Sequence, residues 1–259
     1  MLRPGALGDT LLAVPALRAL RRAYGSLRLA AHAGAARLLA TMGEVDTGLA
    51  FDDPSLTWIF EGPPTQERVV AWMAQRPGGL PTDALMAASR PPGMDRHCAR
   101  YLLETLAPLG IDLSWDARPL EIEPVQSEEI LVHPGSGSST KNWPAERFAA
   151  VIGCLKRPVR LVVGEADDVA AAQVEAAVGG HLHRLETSSL VDLARRLAGC
   201  RAYLGNDSGV SHLAALSRAR TVAMFGPTDP RVWAPIGPYV TVLPFDSNPS
   251  EVAAQLDAS

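Results

Sequence analysis

Residues 130–163, ILVHPGSGSSTKNWPAERFAAVIGCLKRPVRLVV, hold one complete strand–loop–helix–strand passage. Ile130–His133 is a short apolar run suited to burial on both faces, and the glycines and serines after it mark a loop. Pro144 and Glu146 suit a first helical turn, where a missing N–H costs nothing and a carboxylate meets the positive end of the helix dipole. The helix runs to Leu155, Arg157-Pro158 breaks it, and Val159–Val163 is the next apolar strand.

Working outward, the rhythm repeats. Asp167–Val178 is an Ala/Val-rich helix closed by Gly179-Gly180. Leu182–Leu185 and Leu190–Leu197 give another strand and helix, and Ala202–Gly205, Ser208–Ser217 and Thr221–Phe225 a strand, helix and strand. Apolar strands alternating with amphipathic helices predict a parallel sheet covered on both faces, one doubly wound α/β domain over residues 126–259.

Residues 1–125 carry the same rhythm less regularly. Leu11–Tyr24 reads as a helix with Leu11, Val14, Leu17 and Leu20 inward, Arg18, Arg21 and Arg22 opposite, and Gly25 at its end. Pro15 is expected to kink it. Leu27–Ala31 and Thr47–Phe51 read as strands, Arg76–Thr82 and Arg90–Gly93 as loops, His97–Leu109 as a helix closed by Gly110, and Asp112–Gln126 as a linker.

Of the 259 residues 47% are apolar and 20% charged, with a net charge of −4, as in a globular rather than a disordered chain. No Lys/Arg run exceeds two residues, which argues against nucleic acid as a partner. Cys98, Cys154 and Cys200 lack metal-ligand spacing and read as lone thiols in a reducing compartment, of the kind usually buried. No secretion leader and no 18-residue apolar stretch is visible, so the expected setting is cytoplasmic, with at most peripheral membrane contact.

Ligands of open parallel sheets bind at loops beyond the C-terminal strand ends, and four such loops stand out. Gly5–Thr10 (GALGDT) has two glycines, including Gly8, and one ionisable group, Asp9, readable as a helix N-cap or as a general base. In the 133–144 loop, Ser136, Gly137 and Ser138 offer donors and Lys141 a positive charge, as a diphosphate requires, although the Walker spacing is absent. Glu165 and Asp167 follow a strand, where a carboxylate either accepts from ribose hydroxyls or favours the next helix dipole. At Gly205–Ala215 (GNDSGVSHLAA), Asp207, Ser208 and Gly209 open a helix whose free amides can hold an anion, with His212 one turn in. Ser188, ahead of the Leu190 helix, completes the set of candidate substrate-binding positions.

GALGDTLLAVPALRAL, HPGSGSSTKNWP and GNDSGVSHLAA followed by TVAMFGPTDPRVWAP together resemble glycosyltransferase family 9, the heptosyltransferase-like family. The resemblance implies a glycosyltransferase-B fold: two Rossmann-like domains with a cleft between them, the first facing the acceptor and the second the donor. It implies inverting, metal-independent transfer of a sugar, typically a heptose, from a nucleotide-diphosphate donor, typically ADP-linked, with no cofactor. Acceptors would be a glycan, a lipid-linked glycan or a small-molecule hydroxyl, lipopolysaccharide core among them. By resemblance Asp9 is the catalytic base and Lys141 a catalytic residue that stabilises the leaving diphosphate. Asp207, Ser208, Gly209 and His212 bind that diphosphate, and Asp167, in preference to Glu165, meets the ribose. Two departures stand beside this: the chain opens Met1-Leu2-Arg3-Pro4, which leaves a short first strand, and the first domain is smaller than is usual in the family. The rival readings are a sugar-nucleotide epimerase of the same fold and a non-catalytic nucleotide-sugar binder; an NAD-dependent dehydrogenase fits least, since GxGxxG is absent.

Overall fold

A computed structural model describes residues 1–62, 67–164 and 166–257. They form two compact units, Met1–Ala117 and Arg118–Ser259.

The elements of the first unit are β1 (Leu2–Arg3), α1 (Leu7–Leu11), α2 (Val14–Tyr24), β2 (Arg28–Ala31), α3 (Ala33–Thr41), β3 (Thr47–Ala50), α4 (Trp58–Glu61), β4 (Val70–Trp72), β5 (Leu85–Ala87) and α5 (Cys98–Glu104). The sheet order is β3-β2-β1-β4-β5, all parallel. The two-residue β1 is thus the central strand, with Leu2 opposite Ala30 on one side and Ala71 on the other. Leu2, Ala30, Ile59, Val69 and Ala71 form part of the core beneath it.

The Leu11–Tyr24 helix is two helices. The interruption falls at Leu12–Ala13, just ahead of Pro15, which sits in the first turn of α2, where its missing N–H and fixed φ cost nothing. Arg18 is not on a solvated face either: it is 3% exposed. Its guanidinium meets Glu44 at 2.5 Å and Asp116 at 3.1 Å, and these carboxylates help make its burial tolerable. In the predicted His97–Leu109 helix, His97 is the N-cap of α5, accepting from the Ala99 N–H, and a separate 3-10 turn over Ala107–Leu109 ends at a left-handed Gly110.

The second unit continues with β6 (Ile130–His133), α6 (Ala145–Cys154), β7 (Val159–Val162), α7 (Asp168–Val178), β8 (His183–Leu185), α8 (Leu190–Gly199), β9 (Ala202–Asn206), α9 (Gly209–Leu216), β10 (Thr221–Phe225), α10 (Pro230–Trp233), β11 (Val240–Pro244) and α11 (Pro249–Asp257). Its sheet order is β11-β10-β9-β6-β7-β8, again parallel throughout. Order reverses between β6 and β9, the switch point where such sheets open room for a ligand. Ile130, Val132, Phe148, Leu161, Leu204 and Met224 are among the buried core. Ahead of β6, residues 111–129 have no regular element, yet the Leu120, Val125 and Ser127 N–H groups donate to Leu216, Arg195 and Gly199 of this unit.

Among the thiols, burial pushes Cys98 up to about 11 and Cys200 up to about 12. Cys154 is exposed at the end of α6, contrary to the expectation of burial for lone thiols. Among the described residues no helix is long and apolar enough to cross a membrane.

Candidate functional site

The second unit binds its strand-end loops together with buried polar side chains. Asn206, the last residue of β9, is fully buried. Its Nδ2 donates to Pro134 O at 2.8 Å and lies 3.3 Å from Gly135 O, while its Oδ1 accepts from the Trp143 N–H at 2.9 Å. One amide thereby holds both ends of the 134–143 loop.

His133, at the end of β6, has Nε2 2.9 Å from Asp167 Oδ2 and Nδ1 3.3 Å from Ser208 Oγ. An ionised Asp167 only accepts, so the network assigns the ring proton to Nε2 and leaves Nδ1 to accept from the Ser208 hydroxyl. The Gly164 N–H donates to the same Asp167 oxygen at 2.9 Å. Burial works against the Asp167 charge, but His133 and this N–H outweigh it and hold the carboxyl below its ordinary value of 3.8. Gly135 must lack a side chain, since a Cβ there would collide with the Asp167 carboxylate.

Ser208 is the N-cap of α9, accepting from the Ser211 N–H at 3.3 Å. The opening amides of a helix have no acceptor within it, so α9 presents positive partial charge beginning at Gly209. His212 is 5% exposed, one turn in. Lys141 ends the 3-10 turn Ser139–Lys141 and places Nζ 2.8 Å from Asp207 Oδ2, the residue before the cap. Thr228, in the loop after β10, donates to that same oxygen at 2.7 Å. Ser136 Oγ lies 2.6 Å from Ser138 O and 2.7 Å from Asn142 Oδ1, which fixes the turn, while Gly137 and Ser138 are exposed on it.

The fold therefore brings Lys141 to Asp207, and Asp167 and Ser208 onto one imidazole. Asp167 faces inward, its Oδ2 engaged by His133 and Gly164. Ser188 is exposed in the bend leading into α8, whose N-cap is Ser189; no bond among the described residues joins it to the other candidates. Glu165 lies outside the described residues. His133, Asn206 and Thr228 went unread as site residues, although a polar residue closing an apolar strand, as in ILVH and AYLGN, was a usable signal.

In the first unit Asp9 is the third residue of α1, and the N-cap is Ala6. Asp9 caps from that position: its Oδ2 accepts from the Ala6 N–H at 3.0 Å, one half of a capping box to which alanine returns nothing. Its Oδ1 lies 3.4 Å from Arg3 Nη2, and Arg3 is 1% exposed. Burial lowers the Arg3 pKa, and the Asp9 carboxylate is the largest influence pulling it back up. Gly5 has φ +142°, and a Cβ there would stand 2.9 Å from Asp9 Oδ2. Gly8 is buried within α1. With 34% of its side chain exposed, Asp9 is held on one side and open on the other. Among the described residues no three His, Cys, Asp or Glu side chains come together as a metal site would need.

The family model described as glycosyltransferase family 9 (heptosyltransferase) matches residues 101–256. Lipopolysaccharide heptosyltransferase 1 of Salmonella typhimurium is 30% identical over 122 residues, 46% of this chain and 38% of that protein. The matched stretch is thus well under half of that relative's length. Among solved structures, the ADP-heptose lps heptosyltransferase II of E. coli aligns with a TM-score of 0.75 at 19% identity, over 99% of this chain and 97% of that one. The E. coli heptosyltransferase WaaC with ADP aligns at 0.72 and 17% identity, over 98% and 97%. The fold is of the glycosyltransferase-B type, two parallel-sheet α/β domains.

Proposed function

The chain belongs to glycosyltransferase family 9, and from that premise we propose that it transfers a sugar, a heptose in the first instance, from an ADP-linked donor to a hydroxyl acceptor, with inversion and without a metal. The observation that carries this is Lys141 Nζ held beside the first turn of α9 by Asp207. An ammonium tied to the residue ahead of the N-cap, together with the uncapped amides that open α9, supplies what a departing nucleoside diphosphate needs as its negative charge develops. In this reading they take the part that a divalent cation plays elsewhere.

The diphosphate sits against the α9 amides and Lys141, with Ser136, Gly137, Ser138 and His212 in the same group of elements. ADP is the nucleotide with which the WaaC structure is described, which makes it the first donor nucleotide to test. Asp167, in preference to Glu165, is the carboxylate assigned to the ribose. Asp9 is the general base that takes the proton of the attacking hydroxyl, its orientation set by Ala6 and Arg3. The acceptor is a glycan, a lipid-linked glycan or a small-molecule hydroxyl, lipopolysaccharide being the example offered by the relatives' names.

Calorimetric titration with ADP, GDP, UDP and NAD in EDTA tests the donor half. ADP is expected to bind in the micromolar range and to bind about tenfold more weakly to Lys141→Ala, as for a lost charge-assisted contact. ADP affinity untouched in Lys141→Ala would remove the lysine from the site, and preference for NAD would remove the transferase reading.

A further inference from the structure

Asp207 sets a problem for any diphosphate at α9. It is a buried carboxylate, 7% exposed, immediately ahead of the N-cap of the helix that is to receive an anion. Two like charges in such a place oppose one another unless one is neutralised. Here the Lys141 ammonium neutralises it, with Nζ 2.8 Å from Oδ2, and the Thr228 hydroxyl donates to the same oxygen at 2.7 Å.

The partners differ in freedom. Asp207 is buried, and its backbone N–H is fixed to Met224 O at 3.1 Å. Lys141 is one-third exposed and carries its charge on a flexible four-carbon stem. If one member of the pair moves, it is the lysine. A diphosphate bears more charge than a carboxylate and offers more acceptor oxygens, so it competes for the same ammonium.

Resting on the diphosphate site proposed above, we propose that Asp207 is not a ligand of the diphosphate but a positioning residue that holds Lys141 until the diphosphate displaces it. Thr228 is the second positioning residue: it retains the carboxylate when the ammonium turns away. The ion pair holds the lysine in reach while the site is empty, and some donor affinity is lost in breaking it.

The test is ADP titration in EDTA at fixed ionic strength, on wild type, Lys141→Ala, Asp207→Asn, Thr228→Val and the Asp207/Thr228 double variant. Asp207→Asn removes the competitor and keeps the shape, and its Kd for ADP is expected to fall about two- to fivefold, the range of a partly exposed ion pair. A merely structural role gives the opposite sign, because a loosened site binds less. Thr228→Val is expected to raise Kd about two- to threefold, as for one lost hydrogen bond, and this effect should vanish in the Asp207→Asn background. Asp207→Asn binding ADP no better than wild type overturns the proposal. If that variant does not fold, Thr228→Val decides alone, and unchanged or tighter ADP binding overturns it. Wild-type binding that weakens in Lys141→Ala while Asp207→Asn shows no gain sinks only this inference; no ADP binding to wild type sinks the diphosphate site with it.

Discussion

The two candidate sites are held in place by different means. In the second unit Asn206 reaches back 72 residues to Pro134, His133 reaches 34 residues on to Asp167, and Ser208 meets His133 across 75. These bonds are buried and lie across strand ends, so the site exists only when the sheet does. Asp9 in the first unit is held by Ala6 and Arg3, three and six positions away. Its geometry is set by one helix start and the strand feeding it. Damage to the donor-side clamps should therefore show as lost stability, and damage around Asp9 as lost turnover in a folded protein.

The largest expected effect is at Asn206. Replacing it with alanine strands the Trp143 N–H and the Pro134 carbonyl in the core, costing about 3 kcal/mol, and should abolish ADP binding along with the fold of its unit. Melting and ADP titration of Asn206→Ala read this directly; a variant as stable as wild type would break the contrast. Next comes Gly5→Ala, which combines a φ of +142° with a Cβ against Asp9 Oδ2. Turnover should fall at least about thirtyfold, the equivalent of a misplaced base, with ADP affinity unchanged. Asp9→Ala should repeat that split between turnover and affinity, and a loss of ADP affinity in either variant would show the two sites to be less separable.

The smallest effect is the acid response of Asp167. Its folded value lies below 3.8, so the stability it contributes is complete above that value and is lost as pH falls through the lower, folded one. Urea denaturation of wild type and Asp167→Asn should show a gap near pH ~6 that closes as the pH falls toward the folded value. A gap that widened on acidification would mean that the His133 pair does not hold the carboxylate charged.

The same division governs what the sequence disclosed. Thr221–Phe225 and Ile130–His133 were readable to the residue, because a strand buried on both faces is an unbroken apolar run. Helix α3 was passed over: AGAARLLAT is small and short, and its cap is the imidazole of His32, not one of the usual cap residues. β4 and β5, three residues each, are too short to display an alternation, and β11 and α11 went unread beyond the motif-rich stretch. Within the site, the residue types of Lys141, Asp207 and Ser208 pointed to phosphate chemistry. That Lys141 and Asp207 face one another was hidden by the 66 positions between them, and Thr228 joins them from a third loop. Pairings at such separations are products of the strand order, which local patterns do not encode.

The Arg18 cluster bears on the order in which the first unit can be completed during synthesis. Arg18 sits in α2, one carboxylate partner is Glu44, and the other, Asp116, lies 98 positions further on and next to the last residue of the unit. A nascent chain that has just formed α2 offers this guanidinium neither carboxylate; Glu44 follows 26 positions later, and Asp116 leaves the ribosome only when the unit is all but finished. Closing that contact spans nearly the whole unit, the kind of distant pairing that slows folding. Asp116 thus acts as a late fastening, and until it arrives the first helix pair has reason to stay loose.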